Sequence, residues 1–158
     1  MFETPTGLNR MSTYTQIIYQ IVFSTKNRVP VLHKTGRPDL FKYIWGILEN
    51  KKCHLYQING VEDHIHILTH IHPSVALSQL VKDIKLASSF YIKENKLFFG
   101  FDGWQEGYGA FTYSLKEKER LINYVKNQEE HHKKTSFHDE YMSLLNEFEI
   151  EFEEKYLF

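Results

Sequence analysis

The segment HIHILTHI, residues 64–71, narrows the possible folds of this chain more than any other stretch. Successive side chains of a β-strand point to opposite faces. As a strand, the segment puts His64, His66, Leu68 and His70 on one face and Ile65, Ile67, Thr69 and Ile71 on the other. The isoleucine face calls for an apolar layer, and the opposite face carries imidazoles. HLYQINGV (54–61) reads as a second strand, and Glu62 and Asp63 leave only a tight connection between the two, so the pair is expected to form a hairpin.

The rest of the chain supplies partners for that hairpin. TQIIYQIVFS (15–24) is β-branched and aromatic and reads as a central strand, broken by Asn27 to Pro30. Leu40, Tyr43, Ile44, Ile47 and Leu48 form a helical stripe over residues 39–51. A long helix opens after Pro73, with Ser74 as its expected cap and Leu77, Leu80, Val81, Ile84 and Tyr91 as its buried stripe. WQEGYGAFTYS (104–114) reads as a fourth strand interrupted by Gly107 and Gly109. Ser114 and Glu117 have capping-box spacing and start a helix expected to run to about His132. A shorter helix is expected over 139–148. This order predicts an α+β fold with the ferredoxin-like split βαβ pattern: a four-stranded antiparallel sheet, helices on one face, and the other face free for ligands.

A chain of 158 residues fits one domain. No apolar run is long enough to cross a membrane, and the start lacks the pattern of a secretory signal. Residues 1–11 read as a polar, frayed leader, with Met11 as an alternative start. Cys53 stands alone, which rules out an internal disulfide and suits a reducing, cytoplasmic location. Net charge is −1, yet seven acidic residues and one lysine follow from Asp139 onward, so the tail carries −6 and the body +5. The tail reads either as a solvated acidic segment docked by its aromatics or as a steering element.

His64 and His66 lie on the same side of neighbouring pleats, close enough to grip one cation. Hydrogen-bonded surface histidines would have the same pattern. A structural zinc site needs about four N/S ligands, and Cys53 lies at the far end of the preceding strand. An open site of two histidines plus an oxygen ligand suits magnesium or manganese, with water and substrate oxygens completing the shell. His70 and His72 read as non-ligands. In LINYVKNQEEHHKK (121–134), Tyr124, Gln128 and His131 share a helix face. Taken alone, Tyr124 fits a core aromatic better than a nucleophile. Lys82, Lys85, Ser89 and Lys93 line up opposite the apolar stripe of the long helix; Lys26 and Arg28 would extend them. This is either a solvated face or a phosphate-tracking ridge.

Taken together, these segments resemble the single-tyrosine HUH transposases of the insertion-sequence 200/605 group. HIH at 64–66, YVKNQEEHHKKTSFHDEY at 124–141, WQEGYGAF at 104–111, FSTKNRVPVL at 23–32 and GVEDHIHIL at 60–68 look like family blocks, and the likeness extends from Met11 to the C-terminus. The resemblance implies one transposase domain over 12–138, with the acidic helical tail (139–158) packed on it. It implies His64, His66 and Gln128 as ligands of Mg²⁺ or Mn²⁺, Tyr124 as the nucleophile that forms a 5′-phosphotyrosine, and single-stranded DNA hairpins as partners. It also implies a homodimer in which the tyrosine helix can act in trans. His131 lies on the right face to be a general base, although a histidine near a helix C-terminus is equally explained by the helix dipole. The alternatives are a non-catalytic single-strand binding module on the same sheet, a phosphodiesterase using water, and a domesticated endonuclease of repeat hairpins.

Overall fold

A computed structural model describes residues 13–157. The leader expected over 1–11 lies outside the described residues. Four strands, β1 (Ile18–Ser24), β2 (His54–Gly60), β3 (His64–His70) and β4 (Gly109–Tyr113), form one antiparallel sheet in the order β2-β3-β1-β4. The helices α1 (Arg37–Asn50) and α2 (Leu77–Glu94) connect β1 to β2 and β3 to β4. This is the split βαβ arrangement expected from the order of elements. The register pairs Val22 with His66 and Ser24 with His64, so β3 is central and fully buried.

The alternation of β3 decides what covers each face. Ile65, Ile67 and Ile71 pack with Ile21 and Phe23 of β1 against Leu40, Ile44 and Leu48 of α1 and Leu80, Val81 and Ile84 of α2. Burying each of these aliphatic side chains is worth about 1.5–3 kcal/mol. The histidine face, expected to be open, is covered as well. Three helices follow β4: α3 (Lys118–Lys126), α4 (Gln128–His132) and α5 (Phe137–Glu147). Leu121 and Val125 of α3 close over Ile18 and Leu68, and Phe137, Leu144 and Leu145 of α5 close over Val22 and Phe111. Phe148 and Phe152, from the acidic end of the chain, join the second of these clusters. The 138/139 boundary falls inside the first turn of α5.

Several local details differ from expectation, each for an identifiable reason. The strand expected over 104–114 is split: Trp104 makes one bridge to Thr25, and the ladder resumes only at Gly109. Between them Gly107 has φ +84, and Lys85 donates to the carbonyls of Gln105 and Gly107, pulling that backbone out of the ladder. Ser74 does not cap α2; its hydroxyl pairs with His72 Nδ1 at 2.6 Å, and α2 starts at Leu77 after Ala76. Tyr91 is only half-buried and stacks on Tyr43, while Ser88 and Ile92 take the inner positions. The helix expected to run unbroken to His132 is interrupted at Asn127 (φ −98, ψ 24), which separates α3 from α4.

Candidate active site

Both HxH histidines are fully buried beneath α4 and α5. His64 Nδ1 donates to Asp63 Oδ1 at 2.7 Å, and His66 Nδ1 donates to Gln20 Oε1 at 2.9 Å. A carboxylate and an amide oxygen only accept, so each ring carries its proton on Nδ1. In the neutral ring the Nε2 lone pair is then free and faces inward. Phe137 stacks on His64 at 4.1 Å and 14°, holding that ring in its plane.

Glu140 of α5 occupies the point on which these atoms converge. Its Oε1 lies 2.9 Å from His66 Nε2, 3.0 Å from His132 Nε2 and 3.3 Å from His64 Nε2. Its Oε2 accepts a hydrogen bond from the Tyr124 hydroxyl and lies 3.1 Å from His131 Nε2 and 3.3 Å from Gln128 Nε2. One carboxylate therefore links the imidazoles to the phenol. Gln128 is buried, and its Oε1 has no hydrogen-bond partner. Tyr124, Gln128 and His131, which share a face by sequence spacing, do come together despite the break at Asn127.

The electrostatics follow from this packing. Burial alone would raise the Glu140 carboxyl, but the imidazoles of His132, His64 and His66 outweigh it and hold the group far below the usual carboxylate range. Burial works against charging His64, yet its hydrogen bond to Asp63 and the nearby negative charge of Glu140 prevail and hold the ring above its ordinary value. His66 is pushed down by burial despite Glu140. Burial first, and then the negative charge of Glu140, raise the Tyr124 phenol well above its ordinary value. At neutral pH the phenol is therefore protonated, and any attack by its oxygen requires a proton acceptor. A cavity of about 320 Å³ bordered by Gln20, Tyr113, Arg120, Tyr124, His131 and Glu140 opens beside that hydroxyl.

The ligand atoms of His64, His66, His132 and Glu140 all lie within 4.8 Å of one another. Three imidazoles and a carboxylate, with the unpartnered Gln128 carbonyl beside them, have the donor chemistry of a divalent cation site.

The other sequence candidates sit elsewhere. His70 is buried and accepts from the backbone N–H of Ile17 at 3.1 Å; His72 pairs with Ser74. Cys53 is buried in the α1–α2 core. Lys82 and Lys93 are exposed on α2, across the sheet from the histidines, and Ser89 is half-buried beside them. Lys85 is committed to its two carbonyls and lies over the Phe23 ring at 5.3 Å; burial pushes its amine down to about 8. Lys26 is 3.7 Å from Asp102, and Arg28 lies two residues on, in the same short turn.

Sequence reasoning missed Glu140, His132, Asp63 and Gln20. A signal existed for Glu140: it lies with Phe137 and Leu144 on the apolar stripe of α5, where an acid is out of place. His132 stands at i+4 from Gln128, the same spacing that linked Gln128 to Tyr124. Nothing local marks Gln20, whose role depends on β1 lying beside β3.

The family model described as "Transposase IS200 like" matches residues 13–128 of this chain. The chain belongs to the IS200-like transposase family. Membership carries with it DNA endonuclease and strand-transfer chemistry. No curated protein matches this family member in sequence. Among solved structures it is similar to a Deinococcus radiodurans R1 protein assigned as a transposase, at 22% identity and TM-score 0.57, covering 77% of this chain and 98% of that one. It is also similar to a REP-associated tyrosine transposase bound to a REP hairpin, at 15% identity and TM-score 0.54, covering 74% of this chain and 72% of that one. At these identities the two likenesses concern the fold. The family match ends at Gln128, so His132 and Glu140 lie beyond it. Among the described residues no helix is long and apolar enough to cross a membrane.

Proposed function

We propose that this transposase-family chain cuts and rejoins single-stranded DNA at hairpin-flanked ends, with Tyr124 forming a covalent 5′-phosphotyrosine. The observation that carries this reading is the hydrogen bond from the Tyr124 hydroxyl to Glu140, whose other oxygen faces three imidazoles. A phenol set against a cation-type donor cluster, beside a cavity, is an arrangement for phosphoryl transfer.

His64, His66 and Gln128 would hold a divalent cation, Mg²⁺ or Mn²⁺, whose contribution when bound is Lewis-acid polarisation of a phosphoryl oxygen. Tyr124 Oη attacks phosphorus, the bond from phosphorus to the 3′ oxygen breaks, and the strand leaves as a free 3′-hydroxyl. His131 Nε2, which makes no hydrogen bond and lies 3.1 Å from the Glu140 oxygen that the hydroxyl contacts, is the base that takes up the phenolic proton and returns it to the departing 3′ oxygen. The phosphotyrosine keeps the ester linkage, so a second 3′-hydroxyl reseals the strand without ATP.

Lys82 and Lys93, with Lys26 and Arg28, serve as phosphate contacts in this reading. Lys85 and Ser89 stand in the same row, with Lys85 holding the Gln105–Gly107 backbone in place. The neighbour bound to a REP hairpin supports a folded single strand as the ligand, and a domesticated enzyme acting on host repeat hairpins would share all of this chemistry. A binding module that stacks bases on the sheet is disfavoured, because α3 and α5 cover the face it would use.

The residues given roles here come together within one chain, and a homodimer that exchanged the tyrosine helix would rebuild the same contacts in trans. The test is incubation with single-stranded hairpin ends and Mn²⁺, followed by denaturing electrophoresis. A DNA adduct is expected from the wild type and none from Tyr124→Phe. An adduct that persists in Tyr124→Phe overturns the assignment. Recovery of adduct on mixing Tyr124→Phe with His64→Ala marks trans assembly.

A further inference from the structure

We propose that the segment after the tyrosine helix adds His132 and Glu140 to the cation site, making a three-imidazole, one-carboxylate centre that selects a transition-metal ion over Mg²⁺. This rests on the reading of the site as a cation site and deepens it by naming ligands and ion class that the two histidines and Gln128 do not supply.

The geometry carries the argument. Nε2 atoms of His64, His66 and His132 lie 3.3, 2.9 and 3.0 Å from a single oxygen, Glu140 Oε1. The four side chains come from three elements, β3, α4 and α5, and none is more than 9% exposed. The Nδ1 bonds to Asp63 and Gln20 leave the His64 and His66 lone pairs directed at that oxygen. Two lone pairs and a carboxylate oxygen repel one another unless positive charge lies among them. Protons on the imidazoles can supply it, and so can a metal ion. His64 Nε2 makes no hydrogen bond in this arrangement, and neither does Gln128 Oε1; both are buried. Both are unspent donor atoms: His64 Nε2 lies 3.3 Å from Glu140 Oε1, and the Gln128 amide adjoins the same carboxylate through its nitrogen, 3.3 Å from Oε2.

The donor set decides the class of ion. Mg²⁺ favours oxygen ligands and water and gives up its water reluctantly. Imidazole suits zinc, iron, nickel and copper, and among divalent ions affinity for nitrogen-containing sites rises from manganese toward zinc and copper. Acceptors on the far ring nitrogens, as with Asp63 and Gln20, fix ring orientation and strengthen the ligand. A +2 ion would also leave the centre positive after neutralising Glu140, which favours an approaching phosphodiester.

The test uses the full chain, stripped with chelator, without DNA. Calorimetric titrations with Zn²⁺, Mn²⁺ and Mg²⁺, together with the visible absorption of bound Co²⁺, report affinity and ligand set. The expected result is one ion per chain, with Zn²⁺ and Mn²⁺ each bound at least about tenfold more tightly than Mg²⁺. His132→Ala and Glu140→Gln should each lower affinity by about 10–100-fold and shift the Co²⁺ spectrum. Circular dichroism establishes that each variant is folded; should Glu140→Gln not fold, His132→Ala decides. Wild-type affinity in folded His132→Ala, or Mg²⁺ bound as tightly as Zn²⁺, overturns the inference. If His64→Ala abolishes binding while His132→Ala does not, the cation site stands and only this inference fails. If the wild type binds no ion, both fail.

Discussion

Gln20→Leu tests whether the far side of His66 controls the site. Gln20 is fully buried on β1, and it joins His66 Nδ1 to the Tyr113 hydroxyl through two bonds of 2.9 Å. Leucine keeps the volume and removes both bonds. Tyr113 borders the cavity, so water can replace its partner there. The His66 N–H loses its only acceptor on that side, at a cost of about 1–3 kcal/mol. Burial of the leucine offsets part of this, so the net loss of stability should be about 1 kcal/mol. The effect on cation binding should be larger. Without its acceptor the ring is free to move its proton to Nε2 and to turn, and loss of such a partner lowers metal affinity by about 10–100-fold, or about 1.4–2.7 kcal/mol. Urea unfolding in the presence of chelator measures the first quantity, and calorimetric titration with Mn²⁺ or Zn²⁺ measures the second. A folded Gln20→Leu protein with wild-type cation affinity would show that His66 Nε2 is not a ligand, and the reasoning from ring orientation would be refuted.

Gly60→Ala should damage both fold and site. A Cβ there would lie 2.4 Å from the His64 carbonyl oxygen and 2.8 Å from Ile65 Cγ2. The hairpin must shift, which should cost about 1–3 kcal/mol in urea unfolding and weaken cation binding through His64; unchanged values for both would contradict this packing. Tyr113→Phe should flatten the alkaline loss of stability. Burial, then the Glu147 charge, push this phenol up to about 12 against the opposing bond from Gln20. Because the folded value lies above the unfolded one of about 10, its contribution is full below pH 10 and is lost as pH rises from about 10 through 12; equal slopes for mutant and wild type over that window would dismiss it. Lys82→Ala with Lys93→Ala should reduce the slope of log affinity against log salt for single-stranded DNA by about 1 per lysine. An unchanged slope removes α2 from the DNA interface.

What the sequence determined by itself was the part governed by local periodicity. Two-residue alternation in β3 separated histidines from isoleucines, and the order of strands and helices led to the split βαβ sheet. Spacing of 3.6 residues put Tyr124, Gln128 and His131 on one face. Only the tertiary structure decided what lies over the histidines. The sheet's second face looked open because the pattern of β3 says nothing about which later segment returns to cover it. That segment is α5, and its Glu140, 74 residues from His66 in the chain, contacts imidazole and phenol at once. Gln20 reaches His66 for a similar reason, across a ladder whose register pairs Gln20 with Leu68. Local chemistry sets the faces of a strand or helix. Contacts between segments dozens of residues apart are set by how whole faces pack, and Glu140 is identifiable in one dimension only as an acid on an otherwise apolar stripe.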